Sequence, residues 1–252
     1  MLWACRLEDS PSRFPLQVLA RSSLWAFRCN RSRELHQRAS DMDWFRKKSW
    51  SKEDELDFFQ RLGRARKSGR AQYLKIQAIE LLATGNQALL DVAENLLTRV
   101  LEEYPDALFE KASVLHTLGD IEKQRENWSK ALDYYKQALE VEQVFPQVKT
   151  QAYLDFSELV VKTKSTIHYG HVKELIQARA DGFLFPVEKY KAYSILSIIS
   201  FFEGDDARAK QYASLADENA NAETSGLSYH KHLGVVEKRD SWLDSLVKRT
   251  KT

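Results

Sequence analysis

Residues 126–140 read ENWSKALDYYKQALE. At helical spacing Ala131, Tyr135, Ala138 and Leu139 fall on one stripe, with Lys130, Asp133 and Lys136 off it. A helix that buries two alanines instead of two leucines gives up apolar area and gains a close approach of its axis to a neighbour. The stretch just upstream supplies that neighbour. In ASVLHTLGDIEKQR, residues 112–125, Leu115 and Leu118 share a face and Gly119 follows directly. Gly119 and Ala131 remove bulk where the two helices cross, and Tyr135 fills the space toward the next pair.

Composition agrees with a helical chain. The 252 residues include only 9 Gly and 5 Pro, and long stretches are built from Ala, Leu, Glu, Lys and Gln. A formal net charge of +2 favours neither a polyanionic nor a polycationic partner. No run reaches the roughly 18 apolar residues that a spanning helix needs, so no membrane partner is expected.

Residues 1–41 differ from the rest. They hold seven Arg, no Lys, and both cysteines, Cys5 and Cys29, while the only methionines are Met1 and Met42. They read as an extension or leader outside the fold, with Met42 as the functional start. The body beyond lacks cysteine, which excludes disulfides, thiolate catalysis and Cys-based zinc sites there and fits a cytoplasmic location. Residues 42–70 predict a docking helix. Ser51 stands as its N-cap, Glu53, Asp54 and Glu55 oppose the helix dipole, and Leu56, Phe59 and Leu62 supply the apolar face. Trp44, Phe45 and Trp50 are placed to pack over its start.

From residue 71 to 252 the Leu-Gly and Ala-aromatic-Ala pattern recurs. The small residue of the first helix is Ala78, Gly119, Ser157, Ser197 and Gly234 in turn, at separations of 41, 38, 40 and 37. Leu196 precedes Ser197, Ala209, Ala213 and Ala216 repeat the second-helix spacing, and Ala93, Leu97 and Val100 stand before Pro105. Leu118, Gly119, Ala131, Tyr135, Ala138 and Leu139 resemble the tetratricopeptide repeat, a helix-turn-helix unit of about 34 residues. One departure is Glu122, which stands where that family prefers Tyr. The resemblance implies an all-α fold, an α-solenoid of antiparallel helix pairs wound as a right-handed superhelix, and the longer separations imply extended interhelical turns. The segment SWLDSLVK, with Trp242, Leu243 and Leu246, reads as a terminal capping helix in a monomer or weak homodimer.

In such arrays the first helix of each pair lines a concave groove for a peptide or partner helix. On this register the groove presents Gln72 and Lys75, then His116, Thr117 and Asp120, then Gln151, Asp155 and Glu158, then Lys191 and Ser194. Its middle is acidic, which predicts a basic or mixed-charge protein ligand. The function expected is a non-catalytic scaffold, adaptor or regulator. The alternative is an accessory RNA-binding protein using the basic stretch Arg61 to Lys75, although the near-neutral body and the absence of a nucleic-acid motif disfavour it.

Catalytic signatures are missing. The chain carries no phosphate-cradling Gly-rich loop, no Gly-flanked serine nucleophile and no His-Glu-x-x-His, so neither an enzyme nor a cofactor is expected. The pairs His168/His171 and His230/His232 lack the carboxylate company of a metal centre, and no metal is expected. The Asn30 and Asn127 sequons are set aside, the second because it falls in the turn of the best repeat.

Overall fold

The computed structural model describes residues 43–251, so the reading of residues 1–41 lies outside the described residues. Among the described residues ten α-helices follow one another: α1 (Lys52–Arg64), α2 (Lys67–Leu82), α3 (Gln87–Glu103), α4 (Leu108–Gln124), α5 (Trp128–Val144), α6 (Ala152–Lys162), α7 (Tyr169–Gln177), α8 (Pro186–Phe202), α9 (Asp206–Ala220) and α10 (Ser241–Lys251). The described residues contain no strand. Helices α2/α3, α4/α5, α6/α7 and α8/α9 pair as hairpins. Each first helix also packs on a neighbouring pair, α2 on α4 and α6 on α8. The fold is an all-α solenoid of sequentially stacked helices.

A single spacing sets the register. Ala78, Gly119, Ser157 and Ser197 are all buried, and seven residues after each the chain turns left-handed, at Gly85 (φ 67°), Glu126 (φ 61°), Lys164 (φ 56°) and Gly204 (φ 81°). Two residues later the next helix begins, at Gln87, Trp128, Thr166 (a 3-10 turn leading into α7) and Asp206. In three of these turns the first helix ends on a wide 6→1 bond, Asn127 N to Glu122 O, Ser165 N to Val160 O and Asp205 N to Ser200 O, each 2.9 Å. Glycine suits the left-handed site because it has no Cβ, yet two of the four are Glu and Lys.

The long repeat has a different origin from the one expected. The turns within pairs are short. The extra length lies in helices of 16 and 17 residues (α2 to α5, α8) and in the connectors 145–151 and 178–185. Buried Glu142 holds these connectors together, accepting from Thr150 N at 2.8 Å and from Arg179.

Gly119 lies directly under Tyr135. A Cβ at Gly119 would sit 2.4 Å from the tyrosine ring. Tyr135 is fully buried and its hydroxyl donates to Asp120 at 2.8 Å, so the ring has nowhere to retreat. Glu122, the departure from the family pattern, is buried too. Its carboxylate accepts from Arg125 at 3.1 Å and from the Asn127 side chain at 2.7 Å, which replaces a tyrosine's packing with an ionic cap on the turn.

Both ends of the array are closed by other means. The residue before the small one is Leu118, Phe156 and Leu196 in the later pairs, each buried and apolar; in the first pair it is Gln77. Among the described residues no helix pair precedes it. Instead a strap, residues 43–50, crosses α2, and Gln77 accepts from Lys47 N at 3.0 Å and donates to Lys47 O at 2.7 Å. Trp44 and Phe45 stack on Tyr73, and Trp44 and Trp50 hold Phe58 of α1. Ser51 caps α1 as expected, accepting from Asp54 N at 3.1 Å. The buried face of α1 is Phe58 and Leu62, whereas Leu56, expected there, is 73% exposed. Residues 67–70, assigned to the docking segment, already belong to α2.

At the far end the proposed fifth copy fails. Leu233 and Gly234 lie in the loop between α9 and α10. Gly234 has φ 71°, its carbonyl accepts from Val187 N at 2.9 Å, and a Cβ there would sit 2.5 Å from Phe185. The glycine serves the start of α8, and no first helix forms around it. α10 instead packs on α8 and α9. Leu243, Val247 and Thr250 face inward, and Thr250 Oγ1 lies 2.9 Å from Ser197 Oγ.

Gly119→Ala is expected to cost about 1–3 kcal/mol in urea unfolding, because the methyl meets a fixed ring. Glu126→Gly and Lys164→Gly, which relieve left-handed strain at exposed turns, are expected to raise stability by up to about 1 kcal/mol.

Candidate binding groove

The first helices of the second, third and fourth pairs lie side by side, and their polar residues form one connected ladder. Tyr135 donates to Asp120. His116 Nε2 is 2.9 Å from Asp155 Oδ2 and 3.9 Å from Asp120 Oδ1. Lys123 Nζ follows, 3.1 Å from Asp155 Oδ1 and 3.7 Å from Glu158 Oε1. Lys191 Nζ completes it, 2.9 Å from Glu158 Oε2 and 3.8 Å from Asp240 Oδ2 in the loop before α10. Anion and cation alternate from α4 through α6 to α8. The acidic middle read from Asp155 and Glu158 is therefore matched internally by His116, Lys123 and Lys191.

Electrostatics follow from this enclosure. Burial alone would lower the His116 imidazole, but the Asp155 hydrogen bond and the nearby carboxylates Asp120, Asp155 and Glu142 outweigh it and raise its pKa. Burial works to raise Asp155, yet His116 and Lys123 bring it down to about 2. For Lys123 the burial effect is overcome by Asp155 and Glu158, and the ammonium is held more firmly. Asp120 is the exception: burial raises it, with Asp155 adding to the rise and His116 offsetting part.

Other expected groove residues divide three ways. Gln72 and Gln151 are exposed. Lys75 is held by Glu110 at 2.5 Å. Thr117 and Ser194 are buried, with Thr117 Oγ1 donating to Ser113 O at 2.8 Å, so both belong to the packing and do not line a groove.

The groove's accessible mouth is a cleft of about 400 Å³ bounded by Leu82, Asp120, Lys123, Gln124, Trp128 and Lys162. Lys162, at the end of α6, places its ammonium 4.6 Å from the Trp128 ring and 6.0 Å from that of Trp242 on α10. The cap thus reaches back to the end of α6 in the third pair. Sequence reading missed Lys123, Trp128 and Lys162; the partners of Asp155 lie 32 and 39 residues away, about one repeat length.

Among the described residues the one group able to gather around a cation is His116, Asp120 and Asp155, with ligand atoms within 4.8 Å of one another. The Lys123 ammonium beside Asp155 already supplies the positive charge. His168 and His171 flank the ring of Phe156, and His230 and His232 are exposed. Asn127 spends its amide on Glu122. In the basic stretch Arg61 pairs with Asp57 at 2.8 Å, Arg70 donates to Ala65 O and Gly63 O, and Lys75 holds Glu110, which leaves fewer cations to meet phosphate.

No family model, curated protein or solved structure matches this chain.

The ladder has a defined pH signature. With a raised folded value, His116 contributes stability that is complete below its ordinary 6.5 and is lost as pH rises through the folded value. Asp155 contributes fully above its ordinary 3.8 and loses this as pH falls toward about 2. Asp120, being raised, works against stability once pH exceeds its ordinary range. The melting-temperature gap between wild type and His116→Asn is expected to be widest from about pH 4 to 6.5 and to narrow as pH rises above that through the raised folded value. Thermal scans by circular dichroism across that range check it.

Proposed function

We propose that the chain is a non-catalytic interaction module, a tetratricopeptide-like helical-repeat scaffold or adaptor that takes a peptide or partner helix at the mouth of its concave groove. The observation that carries this reading is the ladder of polar side chains running over three stacked first helices beside the cleft at Trp128. A solenoid builds such a surface from successive repeats, and extended or helical segments of other proteins are the ligands that such surfaces suit.

The ligand chemistry follows from what remains uncommitted. Asp155 and Glu158 are already paired, so a purely basic ligand would have to displace Lys123 or Lys191. Gln124 is exposed, Lys162 is exposed with its ammonium over the Trp128 ring, and Ile79 of α2 is 37% exposed. These suit a segment of mixed charge with an apolar or aromatic anchor. A cytoplasmic setting belongs to the same proposal; among the described residues no helix is long and apolar enough to cross a membrane.

The test is capture from native lysate with the wild-type chain beside the Ile79→Asp plus Lys162→Glu variant, whose changes fall outside the ladder. A protein retained by the wild type and lost from the variant, with helicity and melting unchanged, is the expected result. Equal retention by both baits would remove the groove mouth from consideration.

A further inference from the structure

A second surface lies on the second pair. At the edge where α4 begins and α5 ends, Val144 is 86% exposed, Phe109 67% and Leu108 46%. Phe109 meets Phe145 edge-on at 4.9 Å, so two aromatic rings stand together at this edge. Beside them opens a cleft of about 450 Å³ floored by Leu115 and Val141. A smaller hollow of about 180 Å³ shares the walls Lys111 and Gln137 and continues the groove toward Tyr104 on the preceding pair. Apolar tips beside an apolar hollow form a surface of the kind that partners cover.

The charges on the two walls identify the partner. Lys111 rises from α4 and Glu140 from α5; both line the cleft, both are exposed, and neither has an ion pair among the described residues. An interface built on a two-fold axis sets one patch against itself, so each residue meets the residue its counterpart meets. A patch with one unpaired cation, one unpaired anion on the opposite wall and an apolar centre satisfies that rule. We infer that this edge is a homodimer surface. Phe109 and Val144 of one copy enter the cleft of the other, and Lys111 of each copy faces Glu140 of its mate. The contact leaves the groove mouth at Trp128 outside it, and the inference stands independently of the proposed function.

The experiment is sedimentation equilibrium on the full chain and four variants: Val144→Asp, Lys111→Glu, Glu140→Lys and the double reversal Lys111→Glu plus Glu140→Lys. The wild type is expected to associate reversibly to a dimer. Val144→Asp, which puts a charge at a site open to solvent in the monomer, is expected to weaken association by roughly tenfold or more. Each single reversal should weaken it by a few-fold, since like charges then face each other, and the double reversal should restore it to within about twofold of wild type. A wild type that stays monomeric at every concentration overturns the inference. So does a dimer indifferent to Val144→Asp, or a double reversal weaker than both singles.

Discussion

The approach of two helix axes at a buried small residue is the constraint on which this structure depends. At Gly119 the ring of Tyr135 fills the place a side chain would take, with 2.4 Å between an ideal Cβ and the ring. At the matching point of the fourth pair the relation reverses. Ser197 carries the side chain, its hydroxyl donates to Ala209 O at 2.8 Å, and the second helix answers with Ala213 in place of tyrosine. The Ser–Ala pair is smaller than the Gly–Tyr pair, and Thr250 of α10 comes in beside it, its Oγ1 2.9 Å from Ser197 Oγ. Because helix spacing is fixed there, the first helices of successive pairs come near enough for lysine and carboxylate to meet, and the ladder becomes possible.

The ladder does a second job that pairwise packing does not. Apolar faces stack with some freedom of register, whereas His116, Lys123 and Lys191 each need a particular carboxylate at hydrogen-bond distance. Partly buried, these pairs carry a desolvation cost, and their contribution is to specify how pairs are set against each other. Terminal pairs solve their exposed faces separately. Gln77 exchanges two hydrogen bonds with the Lys47 backbone, and α10 offers Thr250 to Ser197 and Asp244 to Tyr190.

How much of this was legible in the sequence follows from the same physics. The series Ala78, Gly119, Ser157 and Ser197 was readable because a small residue recurring at near-constant spacing on an apolar helix face marks where helix axes cross closely. The left-handed turns were readable at Gly85 and Gly204, but Glu126 and Lys164 occupy the same conformation and give no such signal. Gly234 misled because Leu-Gly looks alike in a helix and in a loop; its glycine answers to Phe185, 49 residues earlier in the chain. Of the cations that match the groove carboxylates, His116 and Lys191 were named and Lys123 was not, and no pairing was read, since local spacing shows what shares a helix face and says nothing of the neighbouring repeat. Gln77 could have been found: a polar residue in the place of Leu118, Phe156 and Leu196 marks the pair on which the strap, and not another described pair, is laid.

The central claim is that packing and the ladder join the inner pairs into one cooperative unit. Native-state hydrogen exchange read helix by helix tests it most directly. The account predicts that amides in α4, α5, α6 and α8 share a common opening free energy, with α1 and α10 opening more easily at the ends. Exchange in α6 and α7 that proceeds independently of α4 and α5, at a distinctly lower free energy, would contradict it.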